Sequence, residues 1–410
     1  MLKKEQNKSQ LYLDLDKKWT AHNYKPIPVV IEKAKGIWVW DVEGKKYMDC
    51  LSAYSSQNFG HRNPKLVKAL KKQADKVILT SRAFCNDSMG TAAKKLCELT
   101  GYESFLPMNT GAEAVESALK IARKWGYEKK GVDENKAEII VCENNFHGRT
   151  ITIVGFSTDP DAFSGFGPKT PGFKVIPYGD TEALKKAINK NTVAFLFEPI
   201  QGEAGVLIPP KGYLKEAQKI CKENNVITIV DEIQTGFCRT GTIFASDHEK
   251  VKPDIVLVAK ALGGGIFPIS GVLANWDIMD VLTPGSHGST WGGNSLGMAV
   301  LESVCDLLNE EDFSKRSTEL GKFFVKKLKL IQKKHSEKIK EVRGKGLLVA
   351  IELNEKARPY TEAMKNHQPV GLLAKETHEF SIRFAPPLVI TQKELEWALE
   401  VIERVFDEVD

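Results

Sequence analysis

Apolar positions along the chain change their period several times, and each change marks a different kind of element. Between residues 20 and 60 they come in short bursts, at 37–40 and 45–50, on either side of a polar Asp41-Val-Glu-Gly44 turn. That reads as short strands. After Asn63 the period lengthens: Pro64 takes a first helical position, and Leu66, Val67, Leu70, Ala74, Val77 and Ile78 recur as one helical stripe. Strand-length apolar runs then alternate with amphipathic helices. Runs at 104–108, 137–142, 173–178, 192–197, 226–230 and 254–259 are interleaved with helices starting near Ala112, Thr181 and Gly212. Such alternation predicts an α/β fold, a mostly parallel sheet with helices on both faces.

Beyond residue 300 the pattern changes again. Two long helical stretches, 296–308 and 320–332, lead into strands at 347–353 and 381–384, and Thr391 with Glu394 forms a capping box for a last helix. This end predicts a smaller α+β region, which the strand-rich beginning joins. A chain of 410 residues exceeds what one core holds, so we expect a large domain at about 55–305 and a small domain built from residues 1–54 and 306–410.

Composition narrows the function. The chain is 42% hydrophobic and 27% charged, ordinary for a folded protein, and its net charge of +5 is spread along the whole length. Without a basic cluster, no nucleic acid and no membrane surface is an expected partner. No apolar run approaches the roughly 20 residues of a membrane helix. Residues 1–10 resemble neither a secretory signal nor a transit peptide, so a cytoplasmic protein is expected. Seven cysteines without a Cys-x-x-Cys pair, and no zinc-type spacing of His and Cys, predict reduced thiols and no metal.

In open α/β sheets ligands sit beyond the carboxyl ends of the strands, so polar residues that end apolar runs come first. Two stand out. The run at 226–230 ends in Asp231, and the run at 255–259 ends in Lys260, followed by Gly263-Gly-Gly265. Singly, a strand-end Lys can snorkel to solvent and a strand-end Asp can cap a turn. Together they fit an aldehyde cofactor: a lysine with a depressed pKa offers the neutral amine that attacks a carbonyl, and the carboxylate holds a protonated ring nitrogen. A phosphate could rest on Thr110-Gly111-Ala112, where a strand passes directly into a helix with unpaired amides. Thr110 with Glu113 is equally an ordinary capping box that needs no ligand.

Six motifs then make the chain familiar. Asn109-Thr-Gly-Ala-Glu113, Asn145-Phe-His-Gly-Arg-Thr150, Glu198-Pro-Ile-Gln-Gly-Glu203, the stretch from Asp231 to Gly241, Lys260-Ala-Leu-Gly-Gly-Gly265 and Gly288-Ser-Thr-Trp-Gly-Gly-Asn294 resemble, in order and spacing, the class III pyridoxal-phosphate aminotransferases. His22-Asn-Tyr24, Ser52-Ala-Tyr-Ser55 and Ile382-Arg-Phe-Ala-Pro-Pro387 narrow the resemblance to the branch that uses ornithine. It implies the type I fold of pyridoxal-phosphate enzymes and a homodimer with shared active sites. It also implies pyridoxal 5'-phosphate as cofactor, and L-ornithine and 2-oxoglutarate as substrates.

Residue by residue, the resemblance makes Lys260 and Asp231 the catalytic pair. Phe146 would stack on the cofactor ring, Gln234 would donate to its hydroxyl, and the Gly111 and Ala112 amides would hold its phosphate, with Thr290 arriving from the neighbouring subunit. Tyr24 and Arg149 would hold the carboxylate end of ornithine, and Tyr54 its α-amino group. Glu203 would mask Arg383 while ornithine is bound and release it to grip the diacid, a bidentate task that Lys cannot perform. Plainer readings exist: Phe146 as core, the tyrosines as buried hydroxyls, Arg383 and Glu203 as a structural bridge. His147 stands where some members carry Trp, which leaves the pocket shape beside Phe146 open. The branches that use acetylornithine or 4-aminobutyrate are close rivals. A non-catalytic phosphate-ligand-binding α/β protein is the rival of another class, although neither the Rossmann nor the P-loop glycine pattern is present.

Overall fold

Three sheets organise the chain, and the largest is built from the apolar runs. The computed structural model describes residues 7–409; of the opening stretch inspected for a leader, 1–6 lie outside the described residues. Near the beginning, β1 (Ile31–Lys35), β2 (Trp38–Asp41) and β3 (Lys46–Asp49) form an antiparallel meander. Next come β4 (Ser104–Met108), β5 (Glu138–Cys142), β6 (Phe173–Ile176), β7 (Thr192–Phe197), β8 (Ile227–Asp231), β9 (Ile255–Val258) and β10 (Ser270–Ala274). They make a seven-stranded sheet in the order β4-β10-β9-β8-β7-β5-β6. Every neighbouring pair is parallel except those of β10, which runs against both β4 and β9.

The central strands are apolar at successive positions because both faces are covered. Ile139 and Val141 point to one side, against Val115, Ala118 and Ala122 of the Gly111–Trp125 helix. Ile140 and Cys142 point to the other, against Leu214, Ala217 and Ile220 of the Tyr213–Glu223 helix. This division of alternate residues between two helical layers is the doubly wound arrangement.

The later chain supplies β11 (Ile339–Lys345), β12 (Leu348–Leu353), β13 (Val370–Leu373), β14 (Lys375–Thr377) and β15 (Ser381–Phe384). Four of them form an antiparallel sheet in the order β11-β12-β15-β14, while β13 pairs parallel to β3 and so completes the N-terminal meander. The capping box at Thr391 and Glu394 is formed at the head of the Gln392–Glu408 helix.

Two details depart from the apolar pattern. The helix begun by Pro64 ends at Ala74, so Val77 and Ile78 lie beyond it; the Ile78 carbonyl instead accepts from the Leu296 amide. The strand β10 carries no strand signal of its own, since Ser270 and Gly271 dilute its apolar run. Among the described residues no helix is long and apolar enough to cross a membrane, no cluster of His, Cys, Asp and Glu could hold a metal, and the seven cysteines are free.

One buried cation ties the two ends of the chain to the main sheet. Arg239 is fully buried, and its Nη1 donates to the carbonyls of Leu347 (3.0 Å) and Pro386 (2.6 Å), its Nη2 to Asn58 Oδ1 (2.6 Å). Burial pushes the guanidinium down to about 9, yet it stays charged at neutral pH. Replacing it by Met would strand three buried acceptors at about 1–3 kcal/mol each. Arg239→Met is therefore expected to lose about 3 kcal/mol or more of stability in denaturant unfolding; a loss under about 1 kcal/mol would contradict this assignment.

Candidate active site

The carboxyl ends of five strands deliver the chemistry to one edge. Asn109 to Ala112 follow β4, Phe146 and His147 follow β5, Glu198 follows β7, Asp231 ends β8, and Lys260 comes just after β9. They line a cavity of about 560 Å³, closed from the other side by Ala53, Ser56 and Gln57 and along its length by Glu203 and Gln234.

Lys260 is held with a left-handed φ of 47°. Burial depresses its pKa below the ordinary lysine value, and Arg383 adds to this, against the pull of Glu203, Asp231 and Glu198. Asp231 is buried and held from two directions, its Oδ1 accepting from the Ile233 amide (3.0 Å) and its Oδ2 from His147 Nδ1 (2.7 Å). A carboxylate can only accept, so the proton of His147 sits on Nδ1. Glu198 is buried close by and accepts from the Phe146 amide (3.1 Å). Burial first, and then the charge of Asp231, push it well above the usual carboxylate range.

At the head of the Gly111–Trp125 helix the two readings of Thr110 turn out to be compatible. The capping box is formed: Glu113 N donates to Thr110 Oγ1 (3.3 Å), and Glu113 Oε2 accepts from the amides of Asn109 (2.8 Å) and Thr110 (2.9 Å). Among the described residues nothing accepts from the N–H groups of Gly111 and Ala112, which remain open beside the cavity. Gly148, at φ 130°, packs so closely there that a Cβ would lie 2.9 Å from that of Ala112.

The far end of the cavity is built around Arg383, on β15 and 1% exposed. Its Nη1 donates to Glu203 Oε1 (2.7 Å), to the Gly202 carbonyl (3.2 Å) and to Gln234 Oε1 (3.4 Å), while Nη2 has no partner. Burial alone would raise Glu203, but Arg383 and Lys260 outweigh it and hold the carboxyl below its usual range. Gln234 Nε2 also donates to Glu203 (2.9 Å). A Cβ at Gly202 would fall 1.5 Å from Gln234 Oε1, so a larger residue there would push the Gln234 amide out of its place.

The Tyr54 ring lies 5.0 Å from the Arg383 guanidinium carbon. It is carried there by an unusual turn, in which Ser52, Ala53, Tyr54 and Ser55 all have positive φ, from 47° to 70°. For L-residues a left-handed turn costs roughly 1–2 kcal/mol per residue, and strain of this kind collects at functional sites.

Lys260, Asp231, Phe146, Gly111, Ala112, Gln234 and Glu203 thus share one cavity, and Arg383 stands behind Glu203 and Gln234 with Tyr54 against it. Tyr24, Tyr54, Arg149, Thr290 and Arg383 are not among the residues that line it. Tyr24 is 79% exposed ahead of β1, and Arg149 lies 5.7 Å from the Phe146 ring. Thr290 is exposed next to Ser289, whose Oγ accepts from Asn109 Nδ2 (3.0 Å). Sequence reasoning missed the roles of Glu198 and His147. Glu198 ends an apolar strand as Asp231 does, so the same criterion could have found it.

A family model described as aminotransferase class-III matches residues 19–406. The chain belongs to the class III aminotransferases. An ornithine aminotransferase of Brevibacillus brevis is 57% identical over 399 residues, covering 97% of this chain and 98% of that relative. The crystal structure of an ornithine aminotransferase from Toxoplasma gondii superposes on this class III chain with a TM-score of 0.96 at 45% identity, covering 99% of this chain and 96% of the other. That of an acetylornithine aminotransferase from Elizabethkingia anophelis gives 0.89 at 47% identity, with 98% and 99% covered. The fold is the type I fold of pyridoxal-phosphate transferases, and class III aminotransferases use pyridoxal 5'-phosphate.

The residues present fit that cofactor. Two open amides at a helix start suit its phosphate, the depressed Lys260 amine its aldehyde, and the oriented Asp231 carboxylate its ring nitrogen. His147→Leu removes a hydrogen bond to a charged, buried acceptor, a contact worth about 1.5–3 kcal/mol. The expected result is roughly tenfold or greater weakening of pyridoxal 5'-phosphate binding in an absorbance titration. Unchanged affinity would show that Asp231 does not depend on His147.

Proposed function

We propose that this aminotransferase moves the δ-amino group of L-ornithine to 2-oxoglutarate, giving L-glutamate and glutamate-5-semialdehyde, which cyclises to pyrroline-5-carboxylate. The observation that carries this reading is the buried Arg383 masked by Glu203, with Tyr54 against it. The unpartnered Nη2 supports the same view, because a guanidinium with a free edge is ready for a second carboxylate.

When bound, pyridoxal 5'-phosphate supplies an aldehyde that takes up an amino group and a ring that withdraws electrons. The chain does the rest. Gly111 and Ala112 offer their amides to the phosphate, Phe146 covers one ring face, and Asp231 keeps a negative charge at the ring nitrogen. Gln234 stands at the ring's edge, where its amide is shared with Glu203. Lys260, its amine shifted toward the neutral form by burial, would serve as the attachment point and then take and return a proton at Nζ.

Selection follows from charge. With Glu203 on Arg383 the far end of the cavity is neutral overall and does not draw in the α-carboxylate of ornithine, so the δ-amine is presented to Lys260. Tyr54 reads the α-amino group, and Tyr24 and Arg149 hold the carboxylate. Once the amino group has been handed over, the diacid displaces Glu203 and takes the Arg383 fork. Thr290, exposed on its loop, completes the phosphate site of a second copy, which makes the working unit a homodimer. Free thiols agree with work in a reducing cytoplasm.

The likeness to an acetylornithine enzyme favours one rival, and rates decide between them. Ornithine is expected to exceed N-acetylornithine and 4-aminobutyrate in kcat/KM by at least about tenfold, the scale of one lost polar contact. A preference for either of the others would overturn the assignment. Because the Lys260 pKa is lowered, its neutral fraction grows as pH rises and is complete earlier than for an ordinary lysine. Uptake of pyridoxal 5'-phosphate by the apoprotein should therefore climb with pH and level off below the ordinary lysine range. Lys260→Ala should abolish both turnover and borohydride-fixed cofactor.

A further inference from the structure

The left-handed turn at Ser52 to Ser55 is not held by its own side chains: Ser52 Oγ and Ser55 Oγ are buried without partners. Main-chain bonds from the Ser56 and Gln57 amides to the Ser52 carbonyl (2.8 and 3.0 Å) close it from within, and the side chains that fix its entry lie outside the cavity. Asp49, at the end of β3, accepts with Oδ1 from the amides of Leu51 (2.9 Å) and Ser52 (2.8 Å), the entry to the turn. Its Oδ2 meets His61 Nε2 at 2.8 Å. His61 is itself fixed by a reciprocal main-chain pair with Gly36, at 2.9 and 2.8 Å. Between these two residues the exit is anchored separately, by Gln57 Nε2 on the Gly265 carbonyl (2.8 Å) and Asn58 Nδ2 on the Phe237 carbonyl (2.9 Å). At the entry, main-chain bonds hold Cys50 to Leu373 (2.9 Å) and Ala385 (2.6 Å), and the Asp49 carboxylate supplies the side-chain acceptor for the two amides that lead into the turn.

We propose that Asp49 and His61 are positioning residues: a carboxylate–imidazole pair that clamps the entry of the left-handed turn, sets where Tyr54 meets Arg383, and so determines which amine donor is accepted. The proposal rests on the reading of Tyr54 and Arg383 as the substrate-selecting end. Neither Asp49 nor His61 lines the cavity, so their effect on substrate choice must pass through the turn. A backbone in four successive strained conformations persists only where its surroundings over-determine it. Two amides drawn onto one oriented carboxylate supply that constraint at the entry.

His61 is the cleaner position to alter, because the charge of Asp49 also acts on the buried Arg239. His61→Ala should lower kcat/KM for ornithine at least tenfold and shift the ornithine to 4-aminobutyrate ratio toward that of Tyr54→Ile. The affinity for pyridoxal 5'-phosphate should stay within about threefold. His61→Gln keeps a donor to Asp49 and should recover most of the loss. The double variant with Tyr54→Ile should be no less selective than Tyr54→Ile alone, since both act through one side chain. Additive losses, unchanged selectivity, or cofactor affinity falling in step with activity would overturn the proposal. If the unaltered enzyme does not use ornithine, the functional reading fails by itself, and a crystal structure of the His61→Ala holoenzyme decides the positioning claim. Displacement of Tyr54 from Arg383 or loss of the positive φ values supports it; an unchanged turn sinks it. Should His61→Ala not fold, Asp49→Asn is carried through the same measurements.

Discussion

A guanidinium buried as deeply as that of Arg383 needs acceptors in place of the water it has lost, and the far half of the site is arranged around the carboxylate that serves it. Removing one member of such a pair leaves an uncompensated charge, at a cost of about 3–5 kcal/mol. Glu203 supplies the opposite charge, and the Gln234 amide bonds to both partners. The missing side chain at Gly202 leaves room for that amide. The pairing is nevertheless incomplete, since one guanidinium nitrogen has no acceptor. A second carboxylate can therefore gain at Arg383 what Glu203 gives up, which is what alternation between two differently charged substrates requires.

At the other end the same low dielectric acts on a different set of groups. Asp231, Glu198 and Lys260 converge there, with Glu203 between the two sets. Arg383 and Lys260 hold Glu203 below the usual carboxylate range, burial and Asp231 push Glu198 above it, and burial shifts Lys260 toward its neutral form. Groups with one intrinsic chemistry thus titrate differently because of their surroundings. His147 is part of this arrangement, because it holds Oδ2 of Asp231 while the Ile233 amide holds Oδ1, and the two together orient the carboxylate.

Much of this was legible in the sequence for a simple reason. Strands such as Thr192–Phe197 and Ser104–Met108 are covered on both faces, and their apolar runs end where the chemistry begins. Asp231 and Lys260 stood out for that reason, whereas Glu198, at the end of the Thr192–Phe197 run, was passed over. What stayed hidden depends on main-chain geometry or on distant partners. The antiparallel strand β10 is diluted by Ser270 and Gly271. The left-handed turn at Ser52 to Ser55 uses residues with no glycine among them, so nothing in their type marks the reversal of φ. The bond from His147 to Asp231 spans 84 positions, and no local spacing encodes it. Tyr24, Arg149 and Thr290 were singled out by resemblance alone, and none of them lines the cavity.

The parallel pairing of β3 with β13, and the grip of Arg239 on both Asn58 and Pro386, mean that the selecting half of the site comes from opposite ends of the polypeptide. A nascent chain emerging from the ribosome could assemble the sheet edge and its anion-ready helix long before Arg383 exists. Synthesis therefore passes through a stage with the makings of a coenzyme cradle and no means of discriminating between donors. A C-terminal truncation would first strip the Gln392–Glu408 helix from the core and only then reach the strand that carries Arg383.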